Sequence, residues 1–231
     1  EYEPSSEYDS SFALQIFAAR EAVFKILAKE SLSIHEKLIV ILDMGSKIQQ
    51  CINTDEYDNI KSVVNDYLKE GIAHTLDETR NLSDSGQFED ISLQQGIRQI
   101  LYPYEEMEVL NPEWEVILKD IIDSLFEQMS DEEYNILNEE FGTYMVSRAY
   151  EYRQLLEYLV FRYFAKSIYD YDFLGKCQML VTNFFVIRQM DIIRWLDNHR
   201  EYSFKDRMDV VHIFSRQVEY SEENIENLYE D

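Results

Sequence analysis

Glycine and proline are scarce in this sequence of 231 residues, which holds six glycines and three prolines. Average usage is roughly 7% glycine and about 5% proline, so both chain-breaking residues are under-represented. The glycines stand apart from one another, and no GxGxxG, GxxxxGKS/T or GxSxG motif occurs. This excludes the common glycine-rich phosphate and dinucleotide sites. It also argues against a many-turned β-sandwich, whose turns consume glycine and proline. The scarcity therefore favours a mostly helical chain.

Positive charge is also in short supply. The chain carries 21 Lys and Arg against 46 Asp and Glu, which gives a formal net charge of −25. A surface of this sign repels phosphate, so nucleic acid and anionic membranes are poor partners. No run of about 18 apolar residues is present to span a bilayer. The beginning of the sequence has no basic-then-apolar signal segment.

Cysteine is limited to Cys51 and Cys177, and neither belongs to a CxxC motif or a Cys/His ligand spacing. Two lone thiols favour a reducing cytoplasm over a disulfide framework. No HExxH motif and no histidine pair at helical spacing occurs. We therefore expect no metal site within this chain.

Apolar residues recur at helical spacing along most of the sequence, and several helix starts can be identified. Ser33 with Glu36 and Ser130 with Glu133 form capping-box signatures, and Asn111 precedes a proline suited to a first turn. Residues 172–196 are apolar on nearly every side, which is typical of a helix buried by its neighbours. The pattern predicts an all-α fold of about eight or nine helices around this central helix.

A polar stretch, NLSDSGQFEDIS, divides the helical pattern at residues 81–92. Clustered Ser, Asp, Asn and Gly are typical of loops. We therefore expect an N-terminal helical lobe at 1–80, a loop-rich connection at 81–110 and a C-terminal helical core at 111–231, together forming one domain.

Charged residues inside apolar helices are the most informative candidates for a site. A buried charge costs several kcal/mol unless it is paired and hydrogen-bonded. We therefore expect either an ion-pair network that fixes helix register or a pocket wall that binds a carboxylate-bearing ligand. His212, between apolar positions, is either a rim residue or a base. The charged candidates are Arg162, Arg188, Asp191, Arg194, Arg216 and Glu219.

Four sequence segments carry a resemblance to a known family. They are AREAVFKILAKESLSIHEKLIVI near the start, then YLVFRYFAKSIYDYD, FFVIRQMDIIRWL and DVVHIFSRQVEYSEENIE. In order and spacing the last three resemble the C-terminal part of the bacterial flagellin lysine-N-methylases. The resemblance is specific over the last eighty residues, and looser over roughly residues 70–140.

The resemblance implies S-adenosylmethionine as methyl donor and a flagellin-like protein with surface lysines as substrate. It also implies a cysteine-rich region holding an iron–sulfur cluster, which this sequence does not contain, so we expect the chain to be inactive by itself. Tyr220 stands where the family usually carries histidine. Seven residues fall on the family's motif positions: Arg162, Tyr163, Arg188, Arg194, Ser215, Arg216 and Glu219.

Two functions are open at this point. The first is the helical portion of a protein-lysine N-methylase, in which Glu219 and Tyr220 are candidate catalytic residues, because methyl transfer needs a group that accepts the proton of the amine. The second is a non-catalytic helical scaffold whose acidic surface binds a lysine-rich protein partner. An acidic helical protein unrelated to methylation is a third, weaker hypothesis.

Overall fold

The structure is a computed structural model, and it describes residues 10–84, 91–226 and 228. Within these residues it contains α-helices and short 3-10 or π turns, and no strand. The all-α prediction is therefore confirmed. Nine of the α-helices in the described part of the chain have ten residues or more, in agreement with the expected number. In the same residues no helix is both long enough and apolar enough to cross a membrane.

The helices follow one another with short connections, and π turns extend two of them, α3 into Tyr67–Gly71 and α6 into Ile122–Glu127. They are α1 (Ser10–Leu27), α2 (Ile34–Asn53), α3 (Ile60–Asp66), α4 (Ile72–Asp84), α5 (Leu93–Glu105), α6 (Pro112–Ile121), α7 (Asp131–Met145), α8 (Ala149–Tyr163), α9 (Ser167–Asp170), α10 (Phe173–Asp197), α11 (Phe204–Val218) and α12 (Glu222–Glu226).

Local sequence explains where several helices begin. The capping boxes at Ser33 and Ser130 are both formed, and the side chain of Asn111 accepts a hydrogen bond from Glu113 N at the start of α6. Each cap satisfies an N–H group that has no partner within its helix. A further capping box at Ser92 begins α5, which lies inside the segment expected to be rich in loops. Ser92 and Gln95 have the same three-residue spacing as the other two capping boxes, with glutamine in place of glutamate. This helix start was not predicted, because it lies within the polar stretch.

Helix α10 matches the predicted central helix. Of its 25 residues, only Gln178 and Asp197 are exposed. A helix with apolar residues on all sides is stable only when its neighbours cover it, which explains this burial.

By their mutual contacts the residues group into two units. The first contains residues 1–88 and 149–180, and the second contains 89–148 and 181–231. Both are discontinuous, unlike the division at 1–80, 81–110 and 111–231 expected from the sequence. A domain is defined by independent folding rather than by contacts alone, so that division stays a prediction.

In the first unit, α1 packs against α3 and α8, and α2 packs against α4. In the second unit, a cluster of three aromatic side chains joins α5, α6 and α11. The ring centroids of Tyr104, Trp114 and Phe214 lie 6.3–6.4 Å apart. Aromatic rings at this spacing add to the energy gained from burial.

The start of α6 is also tied to α11 by hydrogen bonds. The side-chain oxygen of Gln217 accepts from the main-chain N–H groups of Leu110 and Asn111, and its Nε2 donates to Glu108 O. Gln217 is fully buried, so its amide replaces the water that these main-chain groups would otherwise bind. The aromatic cluster and this amide together fix α6 against α11.

Candidate functional site

The second unit contains an open cleft between α6, α10 and α11, with a volume of about 610 Å³. Small-molecule sites commonly have volumes of roughly 300–1,000 Å³, so this cleft is of suitable size. We refer to it as the α6–α11 cleft. Its lining residues are Glu113, Val116, Ile117, Asp120, Ile193, Arg194, Asp197, Asp209, His212, Ile213 and Arg216.

Helical periodicity explains why these residues face the same space. The lining residues of α6 are 113, 116, 117 and 120, and those of α11 are 209, 212, 213 and 216. Both sets follow the i, i+3, i+4, i+7 spacing that places side chains on one helix face. Helix α10 contributes Ile193, Arg194 and Asp197 from two successive turns.

The floor of the cleft is apolar, and its rim is charged. Ile117, Ile193 and Ile213, one from each helix, are all at least nine-tenths buried. Most of the charged lining residues are exposed, and Arg194 and Asp209 are half-buried. The cleft can therefore accommodate a molecule with an apolar body and a polar or charged end.

The rim has an acidic balance. Four carboxylates and two guanidinium groups line the cleft, which leaves a formal charge of 2 − 4 = −2 with His212 neutral. Within the described residues, none of these side chains makes a hydrogen bond or an ion pair with protein groups. A ligand would therefore not have to displace a protein partner. The carboxylates are those of Glu113, Asp120, Asp197 and Asp209.

Arg194 also acts on the start of α11. Burial acts to raise the pKa of Asp206, but hydrogen bonds from Ser203 and Asn198 and the positive charge of Arg194 hold that pKa below its ordinary value. Asp206 completes the capping box with Ser203. The charge of Arg194 thus supports the ionised carboxylate that caps α11.

The cleft brings together three of the residues singled out from the sequence, namely Arg194, His212 and Arg216. The sequence interpretation missed its four carboxylates, because acidic residues are too numerous in this chain for any pair to stand out. The sequence does contain a signal: α6 and α11 each carry charged residues at positions i and i+7 with an isoleucine at i+4. These residues are Glu113, Ile117 and Asp120 on α6, and Asp209, Ile213 and Arg216 on α11.

Arg188 and Asp191 lie elsewhere, in the core of the second unit. Arg188 is 8% exposed, and its guanidinium donates to the side-chain oxygen of Asn138 and to Asn138 O, the latter at 3.0 Å. Asp191 is fully buried and accepts hydrogen bonds from Tyr202 OH and Arg207 Nη1. The expected pairing of buried charges is present here: Asp191 pairs with Arg207, and Arg188 pairs with the side-chain and main-chain carbonyl oxygens of Asn138.

Arg162 and Tyr163 lie in the first unit. Tyr163 is buried, whereas Arg162 is exposed, so the expectation that Arg162 is buried was wrong. Its Nε donates to Tyr163 OH at 3.0 Å, and its guanidinium carbon lies 5.5 Å from the centroid of the Tyr163 ring. Leu159 and Val160, which precede Arg162 in the apolar segment, are buried, whereas Phe161 is exposed like Arg162.

Ser215, Glu219 and Tyr220 lie at the end of α11. Ser215 Oγ donates to Glu219 Oε2 at 2.7 Å, and Glu219 is the C-cap residue of the helix. Glu219 is half-buried, whereas Tyr220 is 78% exposed. The lining of the α6–α11 cleft includes none of these three.

The described residues contain no group of three or more His, Cys, Asp or Glu side chains arranged to hold a metal ion. Cys51 and Cys177 are both buried free thiols. Burial raises the pKa of both, which disfavours the thiolate form that binds iron. These residues therefore do not fit an iron–sulfur cluster, which is commonly held by four thiolates.

Comparison with protein families gives a match over residues 20–231 to the model of the FliB lysine N-methylase C-terminal domain. The match covers the three helices of the cleft and all of the sequence-predicted site residues. No curated protein and no solved structure matches the chain.

Proposed function

The chain belongs to the FliB lysine N-methylase family, and from that premise we propose that it is the helical portion of a protein-lysine N-methylase and that the α6–α11 cleft receives the lysine side chain. The proposed substrate is flagellin or a similar surface protein, modified in the cytoplasm. The supporting observation is the apolar floor of the cleft beneath a rim with four carboxylates.

A lysine side chain fits this arrangement by its chemistry. Its methylene stem can lie along Ile117, Ile193 and Ile213, while the ammonium group reaches the carboxylates of the rim. Since the formal charge of the rim is −2, the cleft favours a cation over an anion. The same acidic rim would attract lysine-bearing partners at low salt.

Methyl transfer also requires that the amine lose a proton, because only the neutral amine is a nucleophile. His212 lies in the cleft between Asp209 and Arg216 and makes no hydrogen bond within the described residues. An imidazole is suited to accept a proton near neutral pH. We therefore assign the role of general base to His212.

The lining also fits the methyl donor that the family implies. S-adenosylmethionine, when bound, supplies an electrophilic methyl group. Arg194 and Arg216 would hold its carboxylate, since guanidinium groups match carboxylates. A rim carboxylate would accept hydrogen bonds from the ribose hydroxyls.

Glu219 and Tyr220 stay an alternative catalytic pair. Glu219 is positioned by its hydrogen bond from Ser215, and Tyr220 is open to solvent. A protein substrate that reaches the end of α11 would meet both groups. In this alternative Glu219 accepts the proton and the α6–α11 cleft holds only the methyl donor.

We derive no step through an iron–sulfur cluster, because the two buried cysteines do not fit one. The proposal therefore includes the expectation that this chain alone binds no cluster and does not methylate lysine. A second candidate function is a scaffold without chemistry that binds a lysine-rich partner. The net charge of −25 and the acidic rim favour it.

The test combines binding to this chain with methylation by the complete gene product. Binding of S-adenosylmethionine is measured by calorimetry, and methylation is measured with radiolabelled donor and flagellin. Arg194→Gln/Arg216→Gln should weaken donor binding about tenfold or more, and His212→Gln should reduce kcat with less effect on donor binding. The matched controls are Arg80→Gln and His74→Gln, two exposed residues of α4.

Three other results would contradict this assignment. Normal activity of both cleft variants would exclude the cleft. Loss of activity in Glu219→Gln and Tyr220→Phe, with normal His212→Gln, would favour the alternative pair. Binding of a lysine-rich peptide by a gene product that neither binds donor nor methylates would favour the scaffold.

A further inference from the structure

The aromatic and basic segment at the end of α8 is not used by the proposed function. Between Glu157 and Asp170 the sequence YLVFRYFAKSIY contains no acidic residue and carries only two charges, from Arg162 and Lys166. The chain has 46 acidic residues, whereas this window has a formal charge of +2. Local charge governs contacts, because charges more than about 10 Å apart are screened at 0.1 M salt.

Five side chains of this segment, those of Tyr158, Phe161, Arg162, Lys166 and Tyr169, are exposed. The first three follow the i, i+3, i+4 spacing of one face of α8. We refer to the five residues as the aromatic–basic strip. It continues from α8 through the 3-10 turn Phe164–Lys166 into α9 and has a length of about 17 Å.

The exposure of the aromatic rings is unusual for residues of this type. Phe161 is 69% exposed and Tyr169 is 66% exposed, whereas Tyr163 and Phe164, which lie between them in the sequence, are buried. Burying a phenylalanine side chain contributes about 1.5–3 kcal/mol, so leaving one on the surface forgoes that stabilisation. Rings exposed together beside cations are typical of protein interaction sites, where aromatic residues and arginine are enriched.

We propose that the aromatic–basic strip docks an acidic segment of a partner protein, a segment that carries two or three carboxylates beside an apolar side chain. The carboxylates pair with Arg162 and Lys166, and the apolar side chain packs on Phe161 and Tyr169. Nucleic acid is disfavoured, because a long polyphosphate would extend beyond the two cations and meet the acidic residues of a chain with a net charge of −25, whereas a short acidic segment need not. This surface lies outside the α6–α11 cleft and does not depend on the proposed methylase function.

The experiment measures binding of a fluorescein-labelled peptide that alternates glutamate with leucine and phenylalanine, by fluorescence anisotropy. The variant Phe161→Ser/Lys166→Gln is compared with Phe204→Ser/Lys205→Gln, which changes another exposed phenylalanine and another exposed lysine. We expect the strip variant to bind about tenfold or more weakly, because it loses an apolar anchor and a charge. The control variant should bind normally, and binding to the unmodified chain should weaken as salt rises from about 50 to 500 mM.

A peptide with glutamine in place of glutamate should bind more weakly, and thermal melts confirm that each variant is folded. Tyr169→Ser provides a second variant with the same expected direction. Equal binding by the strip and control variants would overturn the proposal. The proposal would also be overturned if the chain bound single-stranded RNA or anionic vesicles but not the peptide. A third contrary result would be a dimer that Phe161→Ser disperses, with no binding of the peptide.

Discussion

Arg188 donates hydrogen bonds to both the side-chain oxygen and the main-chain oxygen of Asn138, which lies 50 positions earlier in the chain. Both residues are more than nine-tenths buried. One guanidinium group thus joins α10 to α7 within the second unit. Since the partner is neutral, removing the arginine deprives the side-chain oxygen of Asn138 of this donor and leaves its main-chain oxygen with one donor fewer, but leaves no unpaired charge.

We predict that Arg188→Leu lowers the free energy of unfolding by about 1–3 kcal/mol, the cost of leaving buried acceptors unsatisfied. A carboxylate partner would raise this cost to about 3–5 kcal/mol. Denaturant melts measure the difference. The control is Arg200→Leu, whose side chain is 55% exposed and whose loss should have little effect. A loss outside this range would mean that Asn138 is not the main partner.

The buried ion pair of Asp191 with Arg207 should behave differently. Both side chains are at least nine-tenths buried, and Tyr202 OH donates to the same carboxylate. Asp191→Leu removes a carboxylate partner from the buried charge of Arg207 and should cost about 3–5 kcal/mol. The double variant Asp191→Leu/Arg207→Leu should cost clearly less than the sum of the single variants, since the pair acts as a unit.

A double-mutant cycle in urea provides the measurement. The exposed pair of Arg200 with Glu140, at 2.9 Å, is the control, and its coupling should be below about 1 kcal/mol. If the two pairs gave equal coupling energies, burial of Asp191 would not be the cause.

The contrast between these two pairs explains what the sequence could predict. Capping at Ser33 and Ser130 depends on residues three positions apart, so it is visible in the sequence and was predicted correctly. The partner of Arg188 is brought near only by packing of α7 on α10, and no local pattern identifies Asn138. Arg207 was missed as the partner of Asp191 for the same reason.

The candidate site shows the same limit. His212 and Arg216 lie four residues apart on α11, so their common face could be read from the sequence. Their proximity to Glu113 and Asp120 depends on how α6 packs against α11 through the Trp114 and Phe214 rings. Among so many carboxylates, only the packing identifies those that line the cleft.

The first unit offers a pH-dependent prediction at Asp43. Burial acts to raise the pKa of Asp43, but hydrogen bonds from Thr75, Tyr67 and Lys47 and the charge of Lys47 outweigh it and hold the pKa below its ordinary value of 3.8. A carboxyl group whose pKa is lowered by folding stabilises the folded state above its unfolded-state pKa. That contribution is lost as pH falls through the folded-state pKa.

We therefore expect Asp43→Asn to be less stable than the unmodified chain at pH 7, with the difference shrinking as pH falls below 3.8. Urea melts at a series of pH values measure it. Asp77→Asn, an exposed carboxyl group of α4, is the control and should show no comparable trend. A difference that grows on acidification would contradict the assigned role of Asp43.

The final prediction compares two helical glycines with opposite surroundings. A Cβ atom added at Gly45 would lie 2.7 Å from the sulfur of Cys177 and 3.2 Å from its Cβ, whereas one added at Gly96 would meet nothing within 4 Å. Alanine favours helix over glycine by about 0.5–1 kcal/mol, so Gly96→Ala should stabilise the protein by that amount. Gly45→Ala gains the same helix preference but forces α2 and α10 to shift around the sulfur, and overpacking of this kind typically costs about 1–3 kcal/mol. Its net effect should be destabilising.

A double variant tests whether the sulfur is the cause. The loss of stability caused by Gly45→Ala should be smaller when it is measured in the Cys177→Ala background than in the unmodified chain, because the closest contact is with the sulfur. Thermal and urea melts of the four variants measure these differences. If both single glycine variants were stabilised equally, α2 and α10 would not approach each other at Gly45 as closely as the structure indicates.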